Sequence, residues 1–243
     1  MREGMGLGGR SMCPSCRAKI SWYDNIPLLS FALLGGKCRS CGEKISWRYP
    51  AVELSTGIVF ALLGNAFFSW WIVESWIATV FYLVAAAIFM LIFLFDLETM
   101  EIPNILLWIG VGWSLPLLFI MDTFRFNAGV SLWSLHLYSG IFAGMVAFLP
   151  LFLMAALSRE KWMGMGDGFL AFFIGLVVGW PHILFALFCA FASGAFVGTF
   201  LIVLKKKGME SQVPLGPFLV FGAFLAIFLP QWFPGLFDMF LFF

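Results

Sequence analysis

Seven long apolar runs, near residues 51–68, 76–95, 104–121, 137–157, 167–180, 182–204 and 215–230, follow one another with only short polar breaks between them. One compact soluble core cannot take up that much continuous apolar sequence. As helix, about 20 residues cross the hydrocarbon of a bilayer, and most of the runs are near that length. Composition agrees where the argument needs it: 62% of the 243 residues are hydrophobic and 11% charged, against about 45–50% and about 25% in soluble domains. A soluble globular protein, a disordered chain and a nucleic-acid binder are excluded. The sequence predicts an all-α polytopic membrane protein of about seven transmembrane helices, with the lipid bilayer as its solvent. The 167–180 run is short and contains glycine, so it is expected to be tilted, broken or only partly embedded. The tail after Pro230 is too short to span and is expected at the interface.

Charge orders these spans. Formal net charge is only +1, but eight of the 14 basic residues lie in residues 1–48, together with four of the five cysteines. If this segment is cytoplasmic, alternation places the 96–103, 158–166 and 205–213 connections inside as well. Arg159, Lys161 and Lys205 to Lys207 then join the eight, leaving Arg125 alone outside, as the positive-inside rule favours. His136 and His182 fall on the outer side. No secretory signal peptide is visible in MREGMGLGGRSM, and no internal sequence repeat is expected. Small-residue pairs four apart (Gly140/Gly144, Gly175/Gly179, Gly194/Gly198) predict close helix packing in lipid.

The domain division expected from this pattern is a cytoplasmic four-cysteine segment, residues 1–50, and a transmembrane domain, residues 51–243. In the first, Cys13-Pro-Ser-Cys16 and Cys38-Arg-Ser-Cys41 form two C-x2-C pairs with 21 residues between them. Each pair aims two sulfurs at one point, and two pairs complete a tetrahedral thiolate site suited to zinc. Two disulfides or four unliganded thiols are the other possibilities, and a reducing cytosolic face disfavours disulfides. Cys189 stands alone in an apolar span, as a small core residue would. The stretch between the pairs mixes aromatic and apolar residues with Asp24 and Asn25, and is expected to rest on the membrane surface as a metal-stapled subdomain.

Ionisable side chains are expensive at membrane depth and tend to be functional there. Of the 13 acidic residues, two sit where chemistry is plausible. Asp96 follows FMLIFLF at the cytoplasmic end of the second span, and Asp167 lies in Gly164-Met165-Gly166-Asp167 at the cytoplasmic start of the fifth. The topology puts both on one side at similar depth. Two carboxyls in one low-dielectric site share a proton. The ionised partner then activates water while the protonated one polarises a peptide carbonyl and protonates the leaving amine. Gly164 and Gly166 are expected to permit close approach and positive φ. The alternative is that Asp96 merely ends one helix and Asp167 caps the next.

Taken together, these residues resemble the bacterial type IV prepilin peptidases, membrane aspartic proteases of the GxGD kind. Similarity runs in order through Arg10-Ser11-Met12-Cys13-Pro14-Ser15-Cys16, Trp22-Tyr23-Asp24-Asn25-Ile26-Pro27, Cys38-Arg39-Ser40-Cys41-Gly42 and Arg48-Tyr49-Pro50-Ala51-Val52-Glu53-Leu54. It continues through Asp96 ahead of Pro103-Asn104, the GxGD at Asp167, and Val213-Pro214-Leu215-Gly216-Pro217-Phe218-Leu219. The resemblance implies catalysis by Asp96 and Asp167 and structural zinc on Cys13, Cys16, Cys38 and Cys41. It implies cleavage of short basic leaders from prepilins and pseudopilins, just after a Gly, at the cytoplasmic face of the bacterial inner membrane. It further implies methylation of the new N-terminus with S-adenosylmethionine; no glycine-rich nucleotide loop marks that activity, and Glu53 and the cysteine segment are places to look.

Two departures accompany the resemblance. The family usually has another span before the zinc segment, making eight, and Met1 falls within what resembles the connection after it. A Lys commonly stands two positions after the GxGD, where this chain has Phe169. A membrane scaffold or transporter, with the cysteine module docking a partner and Asp167 serving an ion site, stands as the alternative from a different class. Methylation as the main surviving activity is a third.

Overall fold

A computed structural model describes residues 11–126, 135–161, 163–204 and 214–233. Arg2, Arg10, Lys205 to Lys207 and the tail beyond Phe233, which entered the expectations above, lie outside the described residues. A 3-10 turn at Trp22–Asn25 and a short helix α1 (Leu29–Leu33) lead into α2 (Arg48–Phe67), α3 (Val73–Thr99), α4 (Asn104–Phe126) and α5 (His136–Leu157). Then come α6 (Met165–Val178), α7 (His182–Val203) and α8 (Gly216–Trp232). Helices α2 to α8 coincide with the seven apolar runs, their ends shifted by at most five residues. Among the described residues five helices are long and apolar enough to cross a membrane, and α6 and α8 are shorter apolar helices. The chain is a multi-pass membrane protein. It divides into two compact units, Met1–Ala61 and Leu62–Phe243, with the boundary inside α2.

In the first unit no strand occurs among the described residues, only two isolated antiparallel bridges, Met12 with Lys19 and Lys37 with Lys44. These close two equivalent knuckles. Cys13 N–H donates to the Ala18 carbonyl and Arg17 N–H to the Cys13 carbonyl, at 3.0 and 2.9 Å. In the second knuckle Cys38 N–H donates to Glu43 and Gly42 N–H to Cys38, at 2.8 and 2.9 Å. The sequence repeats with the backbone, contrary to expectation: residues 12–22 and 37–47 are identical at seven of eleven positions, the two cysteines, Ser15/Ser40 and the Lys-Ile-Ser-Trp that follows. The equivalent fourth positions after each leading Cys are both left-handed, Gly42 at φ 72° and Arg17 at φ 58°. Glycine meets that demand without strain and arginine does not.

The second unit is arranged around α6. With 14 residues it is about 21 Å long, well short of a hydrocarbon core of about 30 Å, and it packs against α4, α5, α7 and α8. The glycines expected to tighten helix contacts do so between α5 and α6. A Cβ on Gly175 would strike the Gly144 backbone, and one on Gly140 would lie 3.0 Å from the Leu176 carbonyl oxygen. Gly179 has a different job, ending α6 at φ 71° and ψ 178°, a conformation essentially restricted to glycine. Gly198 meets nothing within 4 Å, so the expectation of close packing fails there. Phe173 of α6 fills the notch left by Gly110 of α4 and meets Phe89 of α3 at 4.9 Å between centroids.

The interior of this unit is rich in small residues, including Ala85, Ala86, Ala143, Ala147 and Ala190, while Trp108, Phe188 and Phe196 face outward. That arrangement suits a bilayer, where tails solvate the large side chains and small residues let backbones approach. The Asp122 carboxylate, buried near the end of α4, accepts hydrogen bonds from the backbone N–H groups of His136 and Leu137, at 2.7 and 2.8 Å. It supplies from another helix the acceptors that the first turn of α5 lacks.

Candidate active site and metal centre

The two knuckles bring the sulfurs of Cys13, Cys16, Cys38 and Cys41 within 4.8 Å of one another. Cys13 Sγ lies 3.8 Å from Cys41 Sγ. Tetrahedral zinc with Zn–S bonds of about 2.3 Å requires sulfurs about 3.8 Å apart, so the donor set fits such an ion in number, chemistry and spacing. No disulfide joins these cysteines. The Cys13 thiol is lowered to about 6 by the backbone amides of Cys16 and Ser15 and by neighbouring thiols. At Cys41 the Glu43 amide acts in the same direction, but desolvation and the other three sulfurs outweigh it and raise the thiol to about 12. Ionising one sulfur thus makes the next harder to ionise, and a divalent cation at the centre relieves that conflict.

A bidentate ion pair braces the segment between the knuckles. Arg39 donates from Nε to Asp24 Oδ2 at 2.9 Å and from the second guanidinium nitrogen to Oδ1 at 2.6 Å. Its guanidinium also lies 5.4 Å from the Tyr23 ring centre. Arg39 holds the Asp24 carboxyl below its ordinary range. Leu28, at φ 60°, donates its N–H to Glu53 Oε2 at 2.9 Å. Glu53 therefore anchors an otherwise strained turn onto the start of α2, a role its place in the sequence did not disclose.

In the second unit Asp96 and Asp167 line one cavity of about 840 Å³. Asp96 is 4% exposed and Asp167 9%, and the charge of Asp96 acts on Asp167. Asp96 is not the last residue of α3, and Asp167 is not the N-cap residue of α6. Asp96 lies one turn before the end of α3, which closes through the N–H of left-handed Met100 donating to the Asp96 carbonyl at 3.0 Å. The N-cap of α6 is Gly164, and Asp167 stands three residues further on, its carboxylate against the Gly164 amide. Asp96 Oδ2 is buried and has no hydrogen-bond partner. A polar atom left that way is costly unless a ligand or water meets it.

The glycines of this loop work differently from expectation. Gly164 has φ −74°, and Gly166 is not among the positive-φ residues. Closeness is what Gly166 provides, since a Cβ there would come within 3.2 Å of Ile102 Cβ. Gly216, to which the sequence assigned no role, opens α8 with its backbone amide facing the Asp96 carboxyl. A Cβ on Gly216 would come within 2.5 Å of Asp96 Oδ2. The signal that pointed to it is the ordered Val213–Leu219 motif.

Both sites fall inside regions matched by known families. Residues 5–67 match the bacterial peptidase A24 N-terminal domain and residues 83–199 the type IV leader peptidase family. A prepilin leader peptidase/N-methyltransferase of Vibrio cholerae is 32% identical over 219 residues, covering 90% of this chain and 81% of the relative. Its namesake in Bacillus subtilis is 32% identical over 222 residues, covering 90% and 82%. The chain belongs to the type IV leader peptidase family. A third relative of the same name, from Aeromonas hydrophila, is 30% identical over 90% of this chain and 71% of its own length. No solved structure matches the chain. As a member of this family the chain is a protease, and the four sulfurs and two carboxylates described above lie within its two matched regions.

Proposed function

We propose that this chain is an aspartic endopeptidase that removes the basic leader of type IV prepilins and pseudopilins at the cytoplasmic face of the bacterial inner membrane. Asp96 and Asp167 are its catalytic pair. The observation that carries this reading is the shared cavity, lined by both aspartates and containing the unpartnered Oδ2 of Asp96. One carboxylate takes a proton from water while the other, protonated, polarises the carbonyl and then protonates the leaving amine. The Gly216 amide steadies the Asp96 carboxyl, and the glycines of residues 164–166 keep the cavity wall thin.

Cys13, Cys16, Cys38 and Cys41 hold a structural zinc ion, which folds the N-terminal segment. The prepilin substrate is carried over from the names of the relatives, as is a second activity, methylation of the new N-terminus. For that reaction S-adenosylmethionine would supply the methyl group. The apolar cavity of about 320 Å³ between α4, α5 and α6 has only the Asn104 amide and the Trp108 indole as polar side-chain groups, few partners for the hydroxyls and carboxylate of that nucleoside.

Incubation of the membrane-embedded chain with a prepilin, followed by product mass, tests the reading. A product shortened by the leader is expected, and an added methyl group reports the second activity. An uncut prepilin under conditions where the metal-loaded chain is folded contradicts the peptidase assignment.

A further inference from the structure

Four carboxylates, not two, line the aspartate cavity: Glu101 and Glu160 join Asp96 and Asp167, and Lys161 is the one cation among its described lining residues. The two groups are positioned in opposite ways. Asp167 stands in the first turn of α6 and Asp96 faces the first amide of α8, where helix dipoles favour negative charge. Glu101 and Glu160 instead follow the C-terminal ends of α3 and α5, where the dipole disfavours it. Among the described residues no Lys or Arg forms an ion pair with either glutamate. Both are exposed.

Their backbone settings add to this cost. Met100, immediately before Glu101, is left-handed at φ 56°, and Arg159 and Glu160 are consecutive left-handed residues at φ 51° and 59°. Helix ends of this kind ordinarily use glycine, and bulky residues there are uncommon. The α5 end nevertheless closes in order, with Arg159 N–H donating to Ala156 and Glu160 N–H to Ala155, at 3.2 and 2.9 Å. Two glutamates are thus held, against dipole and backbone preference alike, at the wall of a cavity that also contains the unpartnered, 4% exposed Asp96. On the peptidase reading this cavity receives the substrate, and the excess of carboxylates among its described lining residues favours a cationic one.

We propose that Glu101 and Glu160 form a cation-reading subsite that takes the Lys or Arg side chains of the substrate's leader and so sets its position against the aspartates. The proposal rests on the peptidase reading and deepens it. Glu101 and Glu160 are specificity residues, outside the chemical step. They act on substrate binding and so are felt in KM.

The test uses the full chain in nanodiscs of neutral phosphatidylcholine, which removes competition from anionic lipid. Three peptides share one apolar segment and cleavage site and carry Lys, Gln or Glu leaders. The wild-type chain is expected to favour the Lys leader over the Gln leader by about tenfold in KM, with kcat little changed. The Glu101→Gln/Glu160→Gln double variant loses that preference, and Glu160→Lys shifts it toward the Glu leader. A double variant that keeps the wild-type preference overturns the subsite. Glu160→Gly separates structure from recognition, since it relieves the left-handed strain while removing the charge. It is expected to raise the thermal midpoint and still raise KM; an unchanged KM counts against the proposal.

Binding of the labelled Lys-leader peptide, measured without cleavage, keeps the two ideas distinct. Glutamate-dependent binding without cleavage leaves the subsite standing and removes the peptidase reading. Cleavage with glutamate-independent binding and KM does the reverse.

Discussion

The four cysteines reach one point from a stretch of 29 residues, whereas Asp96 and Asp167 come from α3 and α6, with the whole of α4 and α5 between them. The first site is made by local chain geometry. Two knuckles with matching hydrogen bonds each deliver two sulfurs. The second is made by helix packing, through Gly110 against Phe173, Gly144 against Gly175 and Gly166 against Ile102. A local site of this kind fails when its ion is removed and leaves distant packing intact. A packed site fails when a helix shifts by a fraction of an ångström.

The largest effect that this contrast predicts follows metal removal. Structural zinc contributes about 10–16 kcal/mol to folding of small zinc modules. Chelation, or Cys13→Ser, is expected to abolish amide protection in residues 11–47 while protection in α3 to α8 persists. Hydrogen exchange with metal analysis checks this, and the untreated chain should carry about one zinc. Protection that survives with no metal bound breaks the contrast from its local side.

Gly216→Ala attacks the packed side. The new methyl would fall against the Asp96 carboxylate, and displacement of a catalytic group by about 1 Å costs on the order of a hundredfold in rate. The expected result is that loss in kcat, with zinc content and helicity unchanged by metal analysis and circular dichroism. An active Gly216→Ala chain places Asp96 elsewhere in the reaction.

Asp122→Asn is smaller and purely structural. It replaces one of the two carboxylate acceptors with an amide, losing a charge-assisted hydrogen bond to the start of α5. About 1–2 kcal/mol of stability is expected to go, read as a lower thermal midpoint with kcat retained.

The smallest effect concerns the Asp24–Arg39 pair. Because Arg39 lowers the Asp24 carboxyl, its stabilising contribution is complete above the unfolded value of about 3.9. It is lost as pH falls through the lower folded value. Between pH 5 and 8 the pair contributes a constant amount. Asp24→Asn is expected to make a slight difference to first-unit stability there and none in strong acid, by hydrogen exchange across pH.

The same contrast explains what the sequence disclosed. Cys-x2-Cys spacing, the seven apolar runs and the two aspartates at span ends are patterns of near neighbours, and each is legible directly. Resemblance to a known family then tied them together in order. The knuckle repeat was legible too, in the Cys-x-Ser-Cys and Lys-Ile-Ser-Trp shared by residues 12–22 and 37–47; the structure adds that Arg17 stands left-handed where its counterpart is Gly42. No pattern in the sequence marks Asp122, and only packing shows it accepting the amides of His136 and Leu137. Positive φ was expected at Gly164 and Gly166, yet the residues lining or beside the aspartate cavity that adopt it are Met100, Arg159 and Glu160, residue types that carry no signal for it. Gly216 has meaning only once α8 is seen against Asp96. Side-chain chemistry was visible in one dimension; the contacts that restrict it required three.

The central claim is that Asp96 and Asp167 act as one unit sharing one proton. It is tested most directly by kcat/KM for leader removal in Asp96→Asn, Asp167→Asn and the double variant, all zinc-loaded and in membranes. Each single change is expected to lower the rate by on the order of 10²–10⁴, and the double change to lower it no further than the worse single. A single variant that cleaves at nearly the wild-type rate, or losses that multiply in the double variant, contradict a shared-proton pair.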